Sequence, residues 1–131
     1  MRLIVNIDVP DLAAAIAFYS AALGLRHQRT LDGDVAELVG ASSVIYLLQN
    51  AAGTSPGAAV PTPRDYGRHW TPVHLDFVVE DLDASVQRAA DAGAIQQAAR
   101  VDWKGSRCVT FADPFGNGFC LIAFDGESYD G

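Results

Sequence analysis

The spacing of apolar residues changes part-way through LIVNIDVPDLAAAIAFYSAALGL, residues 3–25. LIVNIDV alternates between apolar and polar, the pattern of a strand with one covered face. After Asp-Leu the period becomes helical, and Leu12, Ile16 and Leu23 form the expected buried stripe. The same layout returns in VHLDFVVEDLDASVQRAADAGA, residues 73–94, where Leu82, Val86 and, more loosely, Ala92 take the matching places. Asp11 and Asp81 stand where each helix should begin, able to accept a bond from an early backbone N–H. Gly24 and Gly93 stand where each should end in a left-handed cap.

After each helix the pattern returns to short strands. The first set falls at about 25–30, 35–39 and 44–49, with a turn at LDGD. The second falls at about 95–101, 107–112 and 118–124, with turns at WKGS and DPFGN. The chain therefore predicts an α+β fold of two βαβββ modules, about 2–50 and 72–125, within one domain spanning 1–131. A connector rich in Gly, Pro and Ala, about 51–71, joins them as either a linker or a lid. Four strands and one helix cannot close a core alone, so the modules should pack side by side. The expected result is a curved, mixed eight-stranded sheet, with helices outside and a concave face for a ligand.

Strand alternation sorts the side chains onto two faces. One parity (Leu3, Val5, Ile7, Ile45, Leu47, Leu75, Phe77, Val79, Phe119, Leu121, Ala123) is apolar and suits the helix side. The other carries Ile4, Asn6, Val44, Tyr46, Leu48, His74, Asp76, Val78, Cys120, Ile122 and Phe124, joined by Cys108 and Thr110 from residues 107–112. Apolar surface interrupted by a few polar groups is the composition of a small-molecule site. His74 and Asp76 leave the same face about 7 Å apart, a spacing that needs a water or a leaning rotamer to join them. Trp103, on the turn DWKGSR, is expected to meet a ligand or a second subunit. Trp70, just before His74, is open to either role, and Tyr46, Phe124 and Tyr66 are candidates to join the aromatic contact. His27 and His69 read as surface residues and Phe18 as core.

Composition narrows the partners. A net charge of −7, with only nine Lys and Arg, argues against nucleic acid and allows a neutral or cationic small molecule. No apolar run approaches the roughly 20 residues of a membrane span, and the expected location is cytoplasmic. The two cysteines, Cys108 and Cys120, lack zinc-site spacing and are expected as reduced thiols.

The paired modules, the DL…FY…LGL helix and the stretch FADPFGNGFCLI together resemble the vicinal oxygen chelate superfamily over about residues 2–124. That group includes glyoxalase I, extradiol dioxygenases, fosfomycin-resistance transferases and bleomycin-resistance binding proteins. The resemblance implies that metal-using members take ligands from the first and last strand of each module. Here those positions fall on Ile4, Tyr46, His74 and Cys120, with Asn6, Glu37 and Asp76 near enough to substitute. One good ligand, a thiol and a phenol depart from the three or four His, Asp or Glu expected of a catalytic divalent ion. No metal or other cofactor is therefore expected. The resemblance implies a homodimeric, non-catalytic protein of the drug-binding resistance branch, sequestering a flat aromatic natural product or antibiotic. Its ligand-binding residues would be Asn6, Tyr46, Leu48, Trp70, His74, Asp76, Trp103, Cys108, Thr110, Cys120, Ile122 and Phe124. The alternative is a lyase, isomerase or dioxygenase, metal-dependent or working through His74 and Asp76.

Overall fold

The computed structural model describes residues 1–130. Two compact units divide the chain, Met1–Gly67 and the part from Arg68 onward, each built on its own mixed sheet.

The first unit runs β1 (Ile4–Val9), α1 (Leu12–Leu23), β2 (Arg26–Leu31), β3 (Val35–Val39) and β4 (Val44–Gln49). Its strand order is β1-β4-β3-β2, with β1 parallel to β4 and the other pairs antiparallel. The Asp11 carboxylate caps α1 by accepting from the Ala14 N–H at 3.0 Å, and Gly24, at φ 67°, ends it. The buried side of α1 is Leu12, Ala15, Phe18, Tyr19 and Ala22; the Phe18 and Tyr19 rings meet edge-on at 4.9 Å. Ile16 and Leu23 are only half-buried, so the predicted stripe is rotated. LAAAIAFYSAAL is apolar nearly all round, and only packing on β2, β3 and β4 selects its phase. The helix covers the sheet face that carries Ala36, Leu38, Ile45 and Leu47. Leu3 precedes the strand and is exposed, contrary to its predicted place on that face. The LDGD turn is a three-residue loop, Asp32 to Asp34 between the paired Leu31 and Val35, with Asp32 and Gly33 both at positive φ, 51° and 77°.

The connector does not hang free of this unit. Arg64 pairs with Asp8 at the end of β1, Nε to Oδ2 at 2.8 Å. The Tyr66 hydroxyl donates to the Asn50 carbonyl at 2.7 Å. Backbone bonds from Gly53 to Arg64 and from Arg64 to Thr54 close the loop on itself. The Tyr66 hydroxyl is thus tied to the backbone of its own unit.

The second unit runs β5 (Leu75–Val78), α2 (Leu82–Ala92), β6 (Ile95–Gln96), β7 (Val101–Trp103), β8 (Ser106–Ala112) and β9 (Gly118–Phe124). Its order is β5-β9-β8-β6, with β7 also paired to β8. Asp81 and Gly93 cap α2 as expected, the carboxylate accepting from Ala84 N–H at 3.1 Å. The helix buries Leu82, Ser85 and Ala89 and packs on β9; Val86 and Ala92 are half-buried. Beneath it the Phe111 ring stacks on Phe119 at 5.6 Å, and Phe77 meets Phe119 edge-on at 6.0 Å.

The expected strand 95–101 is two strands, β6 and β7, both paired to β8, so the units hold nine strands, four in one mixed sheet and five in the other, where eight in one sheet were expected. β6 pairs Gln96 with Phe111, whereas β7 pairs Val101 with Cys108. The chain thus advances five residues along one edge while β8 advances three (101−96 against 111−108). Two surplus residues bulge out of the ladder between them. An alternation count cannot see such a bulge, because an even insertion preserves the face each side chain takes.

Candidate functional site

The predicted site residues fall into two groups, one in each unit. In the first, the sheet register aligns Asn6 with Tyr46, Tyr46 with Glu37 and Glu37 with Arg29, a row across β1, β4, β3 and β2. These side chains leave the face opposite α1. Glu37, 5% exposed, is the hub of the row. It accepts from Tyr46 Oη at 2.7 Å, from Gln28 Nε2 at 2.9 Å, and from Arg29 Nε and a terminal nitrogen at 3.2 and 3.1 Å. Arg29 and then Tyr46 hold the Glu37 carboxyl below the usual glutamate range, while Glu37 raises Tyr46 above the usual phenol value. The predicted residue Tyr46 is therefore a committed donor. Sequence alternation missed Gln28 and Arg29, which lie on a strand exposed throughout and interrupted by a register shift between His27 and Arg29. Leu48, half-buried, lies across from Asp8 and Val35, in the next row of the sheet.

The second unit brings more of the predicted residues together. Asp76 lies across from Cys120, and Cys120 from Thr110; the next row runs Val78, Ile122, Cys108 and Val101. β9 is the central strand and both of its faces are buried, Cys120 to 6% exposure. Thr110 Oγ1 and Cys120 Sγ are 3.4 Å apart. Cys108 lies diagonal to Cys120 on the same face. Burial pushes the Cys108 thiol up to about 12, with Cys120 adding to the shift, and burial raises Cys120 as well. Neither is a ready nucleophile at neutral pH.

His74 directly precedes β5, and its Nε2 lies 3.1 Å from Asp76 Oδ1. The predicted gap between the two is closed without water, because the imidazole sits just off the ladder and is free to lean. Donor atoms of His74, Asp76 and Cys120 all lie within 4.8 Å of one another. Arg68 crosses the same end of the sheet. A Cβ at Gly118, two residues before Cys120, would meet its guanidinium at 2.6 Å. That guanidinium donates to Gln97 Oε1 and the His69 carbonyl.

The tryptophans separate. Trp70 is 81% exposed, just before the strand that follows His74. Trp103, 59% exposed, leans edge-on against Tyr129 at 5.3 Å, and Tyr129 meets Phe124 at 4.9 Å. Tyr129 lies beyond the last strand, where no periodicity marks it. Lys104 and Gly105, at φ 49° and 71°, fold the turn that presents Trp103. Asp130 is laid over that turn, its N–H donating to the Lys104 carbonyl.

Residues 4–122 match the sequence profile of the glyoxalase-like domain. The chain belongs to the glyoxalase-like family. An uncharacterized protein of Mycobacterium bovis is 34% identical over 122 residues, covering 88% of this chain and 78% of the relative. An uncharacterized Mycobacterium tuberculosis protein is equally similar, with 70% of its length covered. Among solved structures, a fosfomycin resistance protein from Listeria monocytogenes superposes with a TM-score of 0.72 at 18% identity, covering 94% of this chain and 92% of its own. A lactoylglutathione lyase from Agrobacterium tumefaciens gives 0.66 at 21% identity, with the same coverage. These structural likenesses establish the glyoxalase-like α+β fold.

The superfamily's four-position metal arrangement does not fit this glyoxalase-like chain. Ile4 offers no donor atom, and the Tyr46 hydroxyl already donates to Glu37. Only His74 and Cys120 remain of that set, accompanied by Asp76. Among the described residues, no helix is long and apolar enough to cross a membrane.

Proposed function

We propose that this glyoxalase-like protein is a non-catalytic binding protein that sequesters a small, flat aromatic compound, a natural product or antibiotic, and acts as a homodimer. The observation that carries this reading is the commitment of Glu37. The one buried carboxylate on the predicted face of the first unit is neutralised by Arg29 and saturated by Tyr46 and Gln28, leaving no free base there. The second unit offers surface for contact. Val78, exposed, supplies apolar area, Asp76 and His74 supply polar anchors, and Trp103 presents an aromatic edge. The net charge of −7 favours a neutral or cationic guest.

Calorimetric titration with a panel of planar aromatic antibiotics tests this, followed by mass analysis of the compound recovered after long incubation. Sequestration requires saturable binding and recovery of the compound unchanged. A chemically altered compound would overturn it.

One observation favours a second reading. The 3.1 Å contact between His74 and Asp76 is the geometry of an oriented general base, so a proton-transfer enzyme is the alternative. His74→Ala would then abolish turnover while leaving substrate affinity nearly intact.

A further inference from the structure

Arg68 opens the second unit and reaches the end of its sheet without meeting a carboxylate among the described residues. Its Nε donates to Gln97 Oε1 at 3.3 Å and its Nη1 to the His69 carbonyl at 2.8 Å. Both acceptors are neutral. Asp76, in the next row of the sheet, is turned to His74 instead, at 3.1 Å. A guanidinium carries five N–H donors, and no described residue accepts from the second terminal nitrogen of this one.

The place that Arg68 occupies is shaped around it. Gly118 lies on β9 in ordinary strand backbone, so its conformation does not call for glycine. What the missing side chain supplies is space. A Cβ there would stand 2.6 Å from Arg68 Nη2 and 3.0 Å from the central guanidinium carbon. Alternation aims that Cβ to the face shared by Cys120, Ile122 and Phe124, so the guanidinium lies on that face. Gln97 holds it from the side. The Gln97 N–H donates to the Thr110 carbonyl at 2.8 Å and its Nε2 to the Ile95 carbonyl at 3.3 Å, which leaves Oε1 for Arg68. Gln97 directly follows β6, where the surplus residues leave the ladder, and a bulge re-aims side chains in this way.

We propose that Arg68 is an anion-binding residue on this sheet face, pairing with a carboxylate carried by the aromatic guest. A planar fork with free donors matches the two oxygens of a carboxylate. Continuing the β5–β9 register by one residue brings His74 level with Gly118, so a second nitrogen group stands at the same end of the face. Val78, exposed, lies two rows on, about 13 Å along the strand, a span that a bicyclic aromatic acid and its arginine contact fill together. The net charge of −7 acts through a field that salt screens beyond about 8 Å; at contact the local cation decides. This inference rests on the reading that the face holds an aromatic guest, and it narrows that guest to carboxylic acids.

The test titrates the full chain with naphthoate and with its neutral amide, naphthamide, by calorimetry. The acid should bind at least about tenfold more tightly than the amide. Arg68→Ala should weaken the acid by about ten- to a hundredfold and the amide by less than about twofold. Gly118→Ala should erase the preference as well, because the added methyl displaces only the far end of a flexible side chain. Both variants should melt close to the parent, and Arg68→Lys should restore part of the preference as a point charge. An acid-to-amide ratio that survives Arg68→Ala would overturn the proposal and leave Arg68 as a strap on β9. Amide binding as tight as that of the acid would also overturn it, while leaving the aromatic reading in place. Acetate bound as tightly as naphthoate would do the reverse, keeping the anion site and removing the aromatic guest. If neither naphthalene compound binds, the proposal falls, and the antibiotic panel alone decides the sequestration reading.

Discussion

The Asp113 carboxylate controls the alignment of the two strands that carry Cys108, Thr110, Cys120 and Ile122. It is 1% exposed, in the turn between β8 and β9. Its Oδ1 accepts the backbone N–H groups of Phe115 and Asn117 at 2.8 and 2.9 Å, and its Oδ2 accepts Asn117 Nδ2 at 3.0 Å. Asp113→Ala leaves two partly buried N–H groups without these acceptors. At about 1–2 kcal/mol for each lost bond, the cost is about 2–4 kcal/mol. For a chain of this size that lowers the melting midpoint by about 8–15 °C. Asp113→Asn keeps an oxygen at the Oδ1 position and should restore all but about 1 kcal/mol. Urea denaturation of the three proteins, followed by circular dichroism, measures both differences. If alanine costs less than about 0.5 kcal/mol, or asparagine proves as damaging as alanine, the carboxylate does not hold the turn through these bonds. The consequence for the site is register. A slip by one residue between β8 and β9 would turn Cys120 away from Asp76 and toward α2.

Three further outcomes are expected. Glu37 binds its proton more weakly folded than unfolded, so its contribution is present above the ordinary glutamate value of about 4.3 and lost as pH falls through the lower folded value. Glu37→Gln should accordingly flatten the acid limb of a stability-versus-pH curve, and a limb of unchanged slope would count against the cluster. With burial raising both thiols, Cys108 to about 12, carboxymethylation of the native protein at mildly alkaline pH should run at least about a hundredfold slower than that of free cysteine. Free-cysteine rates without urea would show that the thiols are open. Trp103→Ala should weaken binding of an aromatic guest by well over tenfold, a loss of more than about 1.4 kcal/mol, while leaving the melting midpoint close to that of the parent. Equal titration curves would remove Trp103 from the site.

Much of the fold was written locally. Asp11 with Gly24, and Asp81 with Gly93, mark both helices, because a cap needs only its own side chain and the first or last turn beside it. The Asp-Gly and Lys-Gly turns are legible for the same reason, since tight hairpin loops of two or three residues demand positive φ at those residues. Period-two alternation likewise placed Asn6 and Tyr46, and Asp76 and Cys120, on one face, and the sheet pairing then set them side by side.

What the sequence could not supply were the choices made between elements. Nothing in LAAAIAFYSAAL says which side of an apolar helix meets the sheet; packing under β2, β3 and β4 selected Phe18 and Tyr19. The commitment of Tyr46 to Glu37 and Arg29 depends on two strand pairings and a register shift, none of which a single strand encodes. The aromatic trio of Trp103, Tyr129 and Phe124 joins a turn, a tail and a strand end that share no period. The meeting of His74, Asp76 and Cys120 required β5 to lie parallel beside β9, a contact between residues more than forty positions apart. Local sequence determines caps, turns and faces because backbone geometry acts within a few residues. Which faces meet, and which polar groups become partners, is a tertiary outcome of burying apolar area while satisfying the hydrogen bonds enclosed with it.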